Sequence, residues 1–390
     1  MLEKIRICYL VSRLGQSGPT KQLLQLISHL DHERFSARII TLSEENSNSL
    51  ALQFRPHVEN IDSLRLGSFS SYLQAANSFK RLESQHPAHI IHSQGIRADL
   101  INGYLSNRRI RIATQRNYPF DDYVMEYGLA KGWIISHLHY HAFRRIPHVF
   151  SCSETLVKKN IPHRLSSRLV RNGTVIPLLR DFSTEYWRTK IEGYPETRLA
   201  NRIFVTSGPL IKRKAIKTVI DAFLTYRRNH NHSAKLFVLG DGPELNNLQN
   251  QAKGDPDVVF TGLIEDVSPF LRAADLFISA SLSEGMPNAV LESLANGAPT
   301  LLSDIEPHLE LLNLNPLLGR AFPTQNARAL TECLTEAFST KRERQCIYQF
   351  ARDTFSAAIM ANQYQKLYAD LRQNELSNAP DHKAPDADTT

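Results

Sequence analysis

The sequence Ser283-Glu284-Gly285-Met286-Pro287-Asn288-Ala289-Val290-Leu291-Glu292 lies between two segments of different character. The apolar run before it, residues 274–279, has the length and composition of a buried strand. The residues after it have helical spacing and end at Asn296-Gly297. Pro287 suits the first turn of a helix, where no N–H is needed, and Gly297 suits the position just past a helix end. The stretch therefore predicts a strand, a loop and then a helix over residues 288–296.

The start of this predicted helix has two features that together indicate a ligand. The first N–H groups, those of Asn288, Ala289 and Val290, lack partners within the helix and, with the helix dipole, suit a phosphate. Two carboxylates frame them, Glu284 in the loop and Glu292 inside the helix. Because carboxylates accept hydrogen bonds from hydroxyls, the combination indicates a nucleotide sugar. The spacing alone is equally typical of a structural helix whose acidic residues serve solubility.

The rest of the chain alternates short apolar runs with amphipathic segments. A length of 390 residues predicts two domains. The first apolar run, residues 5–11, reads as a buried strand that leads through a glycine-containing loop into a helix. This alternation predicts an α/β protein with doubly wound parallel sheets. We expect an N-terminal domain over residues 1–183, a C-terminal domain over residues 200–354, a helix over residues 355–372 and a disordered tail over residues 373–390.

The stretch from Glu284 to Glu292 resembles the Glu-x7-Glu signature of the retaining glycosyltransferases of family 4, and residues 293–304 continue the likeness. The resemblance extends from about Asn201 to Tyr368 and is weaker over the first half of the chain. It implies the GT-B fold, in which two Rossmann-like domains face each other across a cleft and the last helix crosses back to the first domain. It also implies a part in the synthesis of surface polysaccharide, such as capsule, O-antigen or exopolysaccharide.

The resemblance assigns one substrate to each domain. The C-terminal domain would hold the nucleotide-sugar donor, a UDP- or GDP-sugar, and the N-terminal domain a glycan or lipid-linked acceptor. The enzyme would be a hexosyltransferase that needs neither a metal nor a cofactor. Asp255-Pro256-Asp257 has the Asp-x-Asp form of a metal site, but Pro256 predicts a turn that precedes a strand. We therefore expect no metal there.

Several positions match the donor site of the family. The resemblance implies that Glu284 and the backbone beside it hold the sugar hydroxyls, and that Glu292 accepts a hydrogen bond from the ribose. Lys214 is in register with a lysine that clamps the diphosphate, and Gly18 with a glycine whose backbone approaches it. We therefore assign donor binding to Gly18, Arg213, Lys214, Gly285, Met286, Pro287, Asn288, Ala289, Val290 and Glu292.

Two positions depart from the family's pattern. Pro209 stands where an arginine would clamp the diphosphate, so Arg213 or Lys212 would have to supply that charge. Arg116 follows a predicted strand at a position where many members have a histidine near the reacting centre. Arginine cannot act as a base near neutral pH, so a histidine-based mechanism is not expected. The catalytic residues are then Glu284, Lys214 and Arg116.

The two departures leave alternatives open. One is a catalytically weak or inactive subunit that binds a nucleotide sugar or a partner enzyme. Another is a sugar-nucleotide epimerase of the same fold, against which the Glu-x7-Glu signature and the Gly-x5-Lys loop argue.

Charge is distributed unevenly along the chain. Up to Arg180 there are 24 Lys and Arg residues against 13 Asp and Glu, a net charge of +11, whereas the remainder carries −4. A basic half indicates an anionic partner, and because no nucleic-acid-binding module is recognisable, an anionic membrane surface is favoured over nucleic acid. No apolar run approaches the ~20 residues of a membrane span. We expect a cytoplasmic protein that lies peripherally on the inner face of the cytoplasmic membrane.

Residues 132–146 mix aromatic, apolar and basic side chains. Two interpretations are open: a helix with its aromatic residues in the core and its basic residues outside, or a membrane-contact face. His137 and His141 are one helical turn apart, but no carboxylate completes a zinc motif, and we expect no metal there. The basic and aromatic residues proposed for the membrane face are Arg108, Arg109, Arg111, Lys131, Trp133, Phe143, Arg144 and Arg145.

Overall fold

The first predicted strand, β1, spans Ile5–Val11 in the computed structural model. The structure describes residues 3–66, 72–105, 109–178, 183–191, 193, 200–230, 233–337 and 343–377. The strands that follow it in the first half of the chain are β2 (Phe35–Thr41), β3 (Ile61–Ser63), β4 (Ile90–Gln94), β5 (Ile110–Gln115), β6 (His148–Ser151) and β7 (Arg168–Leu169). They form a seven-stranded sheet in the order β3-β2-β1-β4-β5-β6-β7. The strand pairs of this sheet are parallel wherever their register is known.

The helices of this half connect the strands as the alternating pattern requires. They are α1 (Gly18–Ser28), α2 (Ala51–Phe54), α3 (Tyr72–Gln85), α4 (Ile96–Gly103), α5 (Pro119–Tyr127), α6 (Leu129–Arg144), α7 (Glu154–Asn160) and α8 (Thr184–Arg188). Parallel strands need such crossover connections, because a short hairpin cannot join them.

The second half repeats the design with six strands. They are β8 (Arg202–Ser207), β9 (Ala234–Leu239), β10 (Val258–Gly262), β11 (Leu276–Ser279), β12 (Thr300–Ser303) and β13 (Gly319–Phe322), and their order is β10-β9-β8-β11-β12-β13. The helices are α9 (Ile216–Asn229), α10 (Leu245–Ala252), α11 (Ser268–Ala273), α12 (Asn288–Ala295), α13 (Glu306–Leu314), α14 (Ala327–Glu336), α15 (Arg344–Phe355) and α16 (Ala357–Ser377). The prediction of two doubly wound parallel sheets is confirmed.

Burial explains why the sheets could be recognised from the sequence. All seven residues of β2 and all six of β9 are buried, as expected for parallel strands covered by helices on both faces. In each sheet the strand order reverses once, between β1 and β4 and between β8 and β11. At such a reversal the loops that leave the two strands diverge to opposite faces of the sheet, and the crevice between them is where ligands of this class of sheet bind.

By its contacts the chain divides into two units. The first unit contains residues 1–114, 141–149 and 361–390, and the second unit contains residues 115–140 and 150–360. In the first unit, the ring of His92 on β4 lies 2.7 Å from both the Tyr368 hydroxyl and the Thr114 hydroxyl, and Thr114 is 2.8 Å from the hydroxyl of Tyr364. Helix α16 therefore packs, from Ala361 onward, on strands of the first sheet.

The structure corrects some details of the expected organisation. Helix α16 continues to Ser377, so the disordered tail expected from residue 373 cannot begin there, and residues 378–390 lie outside the described part of the chain. Six helices were not predicted from the sequence, namely α2, α5, α7, α8, α13 and α15. Among the described residues, none of the helices combines the length and the apolar character needed to traverse a bilayer.

Candidate active site

Two loops meet at the point where the strand order of the second sheet reverses. One follows β8 and carries Arg213 and Lys214, and the other follows β11 and carries Glu284. Because β8 and β11 are parallel neighbours, both loops emerge at the carboxyl edge of the sheet. Lys214 and Glu284 are therefore brought together although 70 residues separate them.

The Glu284 carboxylate is the centre of this site. It is only 8% exposed and accepts hydrogen bonds from Lys214 Nζ at 2.5 Å, from Arg213 at 3.3 Å and from the Ser281 hydroxyl at 2.8 Å. Burial alone would raise the pKa of Glu284, but Lys214 and Arg213 outweigh it and lower the pKa from 4.5 to about 2. The side chain is therefore a permanent anion at neutral pH and a very weak base.

Arg213 connects the two loops to helix α5. It donates to the carbonyl oxygen of Ser283 at 2.6 Å and lies 4.0 Å from the carboxylate of Asp122, which also accepts a hydrogen bond from the Ser283 hydroxyl at 3.1 Å. Burial disfavours the charge of Arg213, but Glu284 and Asp122 prevail and raise its pKa. Of the two cations expected to compensate for Pro209, Arg213 thus lies beside Glu284, whereas Lys212 is exposed to solvent.

Gly285 is required by a close approach of two backbone segments. A Cβ atom at this position would lie 1.8 Å from the carbonyl oxygen of Arg116, the residue that follows β5. Real Cβ atoms do not come this close to an oxygen, so any side chain would force the two segments apart. The glycine beside Glu284 therefore lets the loop after β11 pack directly against the chain at Arg116.

The side chain of Arg116 leads to the start of helix α12. Its guanidinium donates to the side-chain oxygen of Asn172, and the Asn172 amide in turn donates to the side-chain oxygen of Asn288 at 2.8 Å. Asn288 is the first residue of α12. The structure thus places Arg116 in the same hydrogen-bonded network as the helix start that was predicted to bind phosphate.

Helix α12 begins at Asn288, as predicted. Pro287 is the residue that caps the helix rather than part of its first turn, and its carbonyl oxygen accepts the N–H of Val290 at 3.0 Å. The expectation that Val290 offers a free N–H is therefore wrong. In the described part of the chain, the N–H groups of Asn288 and Ala289 have no acceptor, so these two point out of the helix end.

The other residues assigned to the donor site lie in different surroundings. Glu292 is half-buried, four residues into α12, and the Met286 side chain belongs to the hydrophobic core. Gly18 is the first residue of α1 in the first unit, where the Ser17 hydroxyl caps the helix by accepting the N–H of Thr20 at 3.3 Å. Gly297 has a φ of +72° and ends α12 at the position predicted for it.

Sequence reasoning missed the polar residues that surround Glu284. Ser281 and Asp122 had no motif to identify them, and their role is visible only from their contacts. His308 on α13 is fully buried, with Nδ1 3.0 Å from the carbonyl oxygen of Ser303; burial lowers its pKa to about 4, so it is neutral at pH 7.

Glu310 on α13 has a structural position in this chain. Its carboxylate accepts the N–H of Glu154 at 3.0 Å and the N–H of Thr155 at 2.8 Å, and it pairs with Arg171 at 3.1 Å. These are contacts at the N-terminus of α7, where a carboxylate satisfies N–H groups that the helix leaves unpaired.

Both aspartates of the Asp-x-Asp sequence near β10 form ion pairs. Arg227 lies 2.6 Å from Asp255 and 2.7 Å from Asp257, and Lys235 is 3.0 Å from Asp257. In the described part of the chain, His, Cys, Asp and Glu side chains do not gather in groups of three or more that could hold a metal ion.

Comparison with known proteins points to one class. Residues 201–339 match the family model described as Glycosyl transferases group 1. Alpha-monoglucosyldiacylglycerol synthase of Streptococcus pneumoniae is 25% identical in an alignment that covers 90% of this chain and 85% of that protein. The O-antigen biosynthesis glycosyltransferase WclY of Escherichia coli is 25% identical in an alignment that covers 95% of this chain and 100% of that protein.

Solved structures extend the likeness to nearly the whole fold. Sucrose-phosphate synthase from Thermosynechococcus elongatus has a TM-score of 0.77 at 16% identity, over 95% of this chain and 100% of that chain. HepE of Anabaena, crystallised with UDP and glucose, has a TM-score of 0.75 at 15% identity, over 94% of this chain and 99% of that chain. At such low identity the structural likeness shows the shared fold alone.

Proposed function

We propose that this chain, a group 1 glycosyltransferase with the GT-B fold, transfers a hexose from a nucleoside diphosphate sugar to a glycan or lipid-linked acceptor with retention of anomeric configuration. One observation carries the proposal. A buried, ionised Glu284 is held by Lys214 and Arg213 in the loop that leads into helix α12. This combination offers cations and N–H groups for a diphosphate together with a carboxylate for sugar hydroxyls.

The cations would act on the leaving group. As the bond between the sugar C1 and the diphosphate oxygen breaks, its electron pair passes to the diphosphate, where negative charge accumulates. Lys214, Arg213 and the N–H groups of Asn288 and Ala289 can stabilise this charge because they are already fixed in place. Two protein cations would then stabilise the leaving diphosphate, as a divalent metal does in other transferases. We therefore propose that the transfer is metal-independent.

The state of Glu284 argues for a binding role and against a nucleophilic or basic one. A carboxylate with a pKa of about 2 is a poor acceptor for the proton of an alcohol. It remains a strong hydrogen-bond acceptor and can hold sugar hydroxyls in one orientation. We therefore propose front-face transfer, in which the acceptor hydroxyl attacks C1 from the side that the diphosphate leaves and gives its proton to the departing phosphate oxygen.

Three further residues complete the proposed site. Glu292, one turn inside α12, would accept a hydrogen bond from the ribose of the donor. The backbone at Gly18 would approach the diphosphate. Arg116 cannot be a base near neutral pH, but it can pair with an anionic acceptor or with the donor phosphates. Its link through Asn172 to Asn288 supports a role at the helix start.

Membrane association belongs to the same proposal. A lipid-linked acceptor would require the protein to work at the surface of a bilayer, on the inner face of the cytoplasmic membrane. The net charge of +11 on the first 180 residues, against −4 on the remainder, favours attachment to anionic lipids through the acceptor-binding half.

A donor screen tests the proposal directly. The purified protein is heated with UDP-, GDP- and ADP-sugars in the presence of a chelator, and the donors that raise its melting temperature are used for product analysis by NMR. We expect stabilisation by one nucleotide class and a product with the anomeric configuration of the donor. A product of inverted configuration would contradict retention, and dependence on a divalent metal would contradict metal-independent transfer. Release of isomerised sugar nucleotide without an acceptor would indicate an epimerase instead of a transferase.

A further inference from the structure

A fully buried histidine is connected to the Glu284 carboxylate through two serine residues. Neither His308 on α13 nor Ser303, the last residue of β12, has any solvent exposure. Burial lowers the pKa of His308 to about 4, so at pH 7 its ring is neutral and has one donor and one acceptor nitrogen. The contacts of the ring show which nitrogen carries the proton.

Nδ1 of His308 is the donor nitrogen. It lies 3.0 Å from the carbonyl oxygen of Ser303 and 3.0 Å from the hydroxyl oxygen of the same residue. Because a carbonyl oxygen can only accept, the proton is on Nδ1. The Ser303 hydroxyl lies 2.6 Å from the carbonyl oxygen of Ser281 and must donate to it. The unprotonated Nε2 lies 3.4 Å from the hydroxyl of Ser279 on β11.

Ser281 extends this series of hydrogen bonds to the candidate active site. Its hydroxyl is 2.8 Å from Oε1 of Glu284, and because an ionised carboxylate can only accept, Ser281 is the donor. The protons therefore all point from the histidine towards the carboxylate. Ser281 is 1% exposed, so the series is shielded from water along its whole length. A buried network in which each group has its partner holds its members in one arrangement.

The two oxygens of the Glu284 carboxylate have different surroundings. Oε1 accepts hydrogen bonds from the Ser281 hydroxyl at 2.8 Å and from Lys214 Nζ at 2.5 Å. Among the described residues, Oε2 accepts only the longer bond from Arg213, at 3.3 Å. Each oxygen of a carboxylate can accept about two hydrogen bonds. Oε1 is therefore satisfied, whereas Oε2 keeps the capacity to accept from a sugar hydroxyl.

We propose that His308 is a positioning residue for the transfer, which acts through the two serines on the carboxylate of Glu284. It fixes the rotation of that carboxylate, so that Oε1 stays with Lys214 and Oε2 faces the sugar. External contacts are needed for this, because the terminal torsion of a glutamate has a broad, roughly two-fold profile. The inference rests on the proposed function, since it deepens the role of Glu284 in holding sugar hydroxyls.

Steady-state kinetics on two substitutions of the histidine tests this role. His308→Leu removes the donor but keeps an apolar side chain in the space, whereas His308→Asn retains an N–H donor at the position of Nδ1. We expect kcat to fall about tenfold or more in the leucine variant and to recover largely in the asparagine variant. Ser303→Ala, a smaller change that breaks the same series, should give the same loss. Affinity for UDP or GDP, measured by calorimetry, should not change in these variants, because Lys214 and Arg213 remain in place.

Two comparisons separate positioning from a purely structural role. Thr300→Val removes another buried hydrogen bond of β12, which the Thr300 hydroxyl donates to the carbonyl oxygen of Leu318 at 3.0 Å. It should lower the melting temperature but leave kcat unchanged. Ser281→Ala should lower kcat by itself, and adding His308→Leu should then cause no further loss, because the connection to Glu284 is already broken. A leucine variant with the kcat of the parent, or losses that multiply in the double variant, would overturn the proposal.

A crystal structure of His308→Leu tests the positioning without any assay of transfer. We expect the Glu284 carboxylate to rotate, so that the Ser281 hydroxyl loses contact with Oε1, whereas in Thr300→Val the carboxylate should keep its orientation. An unchanged carboxylate in the leucine variant would also overturn the proposal. If the parent protein transfers no sugar but the carboxylate rotates in this variant, the proposed function fails while the connection between His308 and Glu284 stands.

Discussion

Glu284 pairs with the two cations that the proposed diphosphate would need, and this makes a specific prediction for Glu284→Gln. The carboxylate lies 2.5 Å from Lys214 and 3.3 Å from Arg213. A donor can engage these cations only beside, or in place of, this negative charge. Glutamine keeps the size and the hydrogen-bonding oxygen but removes the charge. We therefore expect the variant to bind free UDP or GDP more tightly than the parent while turnover falls at least a hundredfold.

The structure sets the magnitude of this effect. Lowering the pKa of Glu284 from 4.5 to about 2 corresponds to about 3 kcal/mol of interaction with its surroundings. Two unit charges 4 Å apart interact by about 4 kcal/mol at an effective dielectric constant of 20. If a third of this repulsion acts between the carboxylate and a bound diphosphate, its removal contributes about 1.4 kcal/mol, or tenfold in affinity.

Isothermal titration calorimetry with the nucleoside diphosphate at neutral pH measures the change. Because the folded-state pKa lies below the ordinary value, the stabilising charge is fully present above about pH 4.5 and is lost only as the pH falls through about 2, so Glu284 stays ionised in the assay. Ser281→Ala is the matched control, since it removes a hydrogen bond to Glu284 but keeps the charge. If a folded Glu284→Gln protein binds the diphosphate no better than the parent, the carboxylate of Glu284 does not compete with the diphosphate for these cations.

The remaining predictions concern the other site residues. Lys214→Ala should lose about 3 kcal/mol of transition-state stabilisation, roughly a hundredfold in kcat, and an unchanged kcat would remove Lys214 from the site. Glu292→Gln should raise the KM for the donor with little change in kcat, and the reverse pattern would contradict ribose binding. Arg116→His should be no more active than Arg116→Ala, with both defective in acceptor use; a fully active histidine variant would show that a histidine-based mechanism operates. Gly285→Ala should lower the melting temperature, because its Cβ would lie 1.8 Å from the carbonyl oxygen of Arg116, and an unchanged melting temperature would show that the loop can move.

Much of the architecture could be read from local patterns. Strand β1 has the predicted bounds, and β11 lies within the apolar run 274–279 that predicted it. The end of α12 at Gly297 follows from residue types that occur at helix ends. These features depend on neighbours within a few residues, and a parallel strand buried on both faces is a continuous apolar run. The short helices α5 and α7 were missed because neither produces a long periodic pattern.

Helix α6 shows where local patterns become ambiguous. Its sequence mixes aromatic, apolar and basic residues, so it left open whether the aromatic side chains face the core or form a membrane-contact face. Tertiary packing decided it, with Phe143 buried and Ile134 exposed. Of the two aromatic residues proposed for a membrane face, Trp133 is exposed, whereas Phe143 is buried and cannot contact lipid.

The sequence by itself determined the alternation of strands and helices, the position of Glu284 and Glu292 around one helix start, and Lys214 as the cation of the loop after β8. Only the tertiary structure decided that Arg213 rather than Lys212 lies at Glu284, that Asp122 supports it, and that Gly285 packs against Arg116. The physical reason is distance along the chain. Parallel strands bring together loops 70 residues apart at one edge of a sheet, and no local spacing records which side chains meet there.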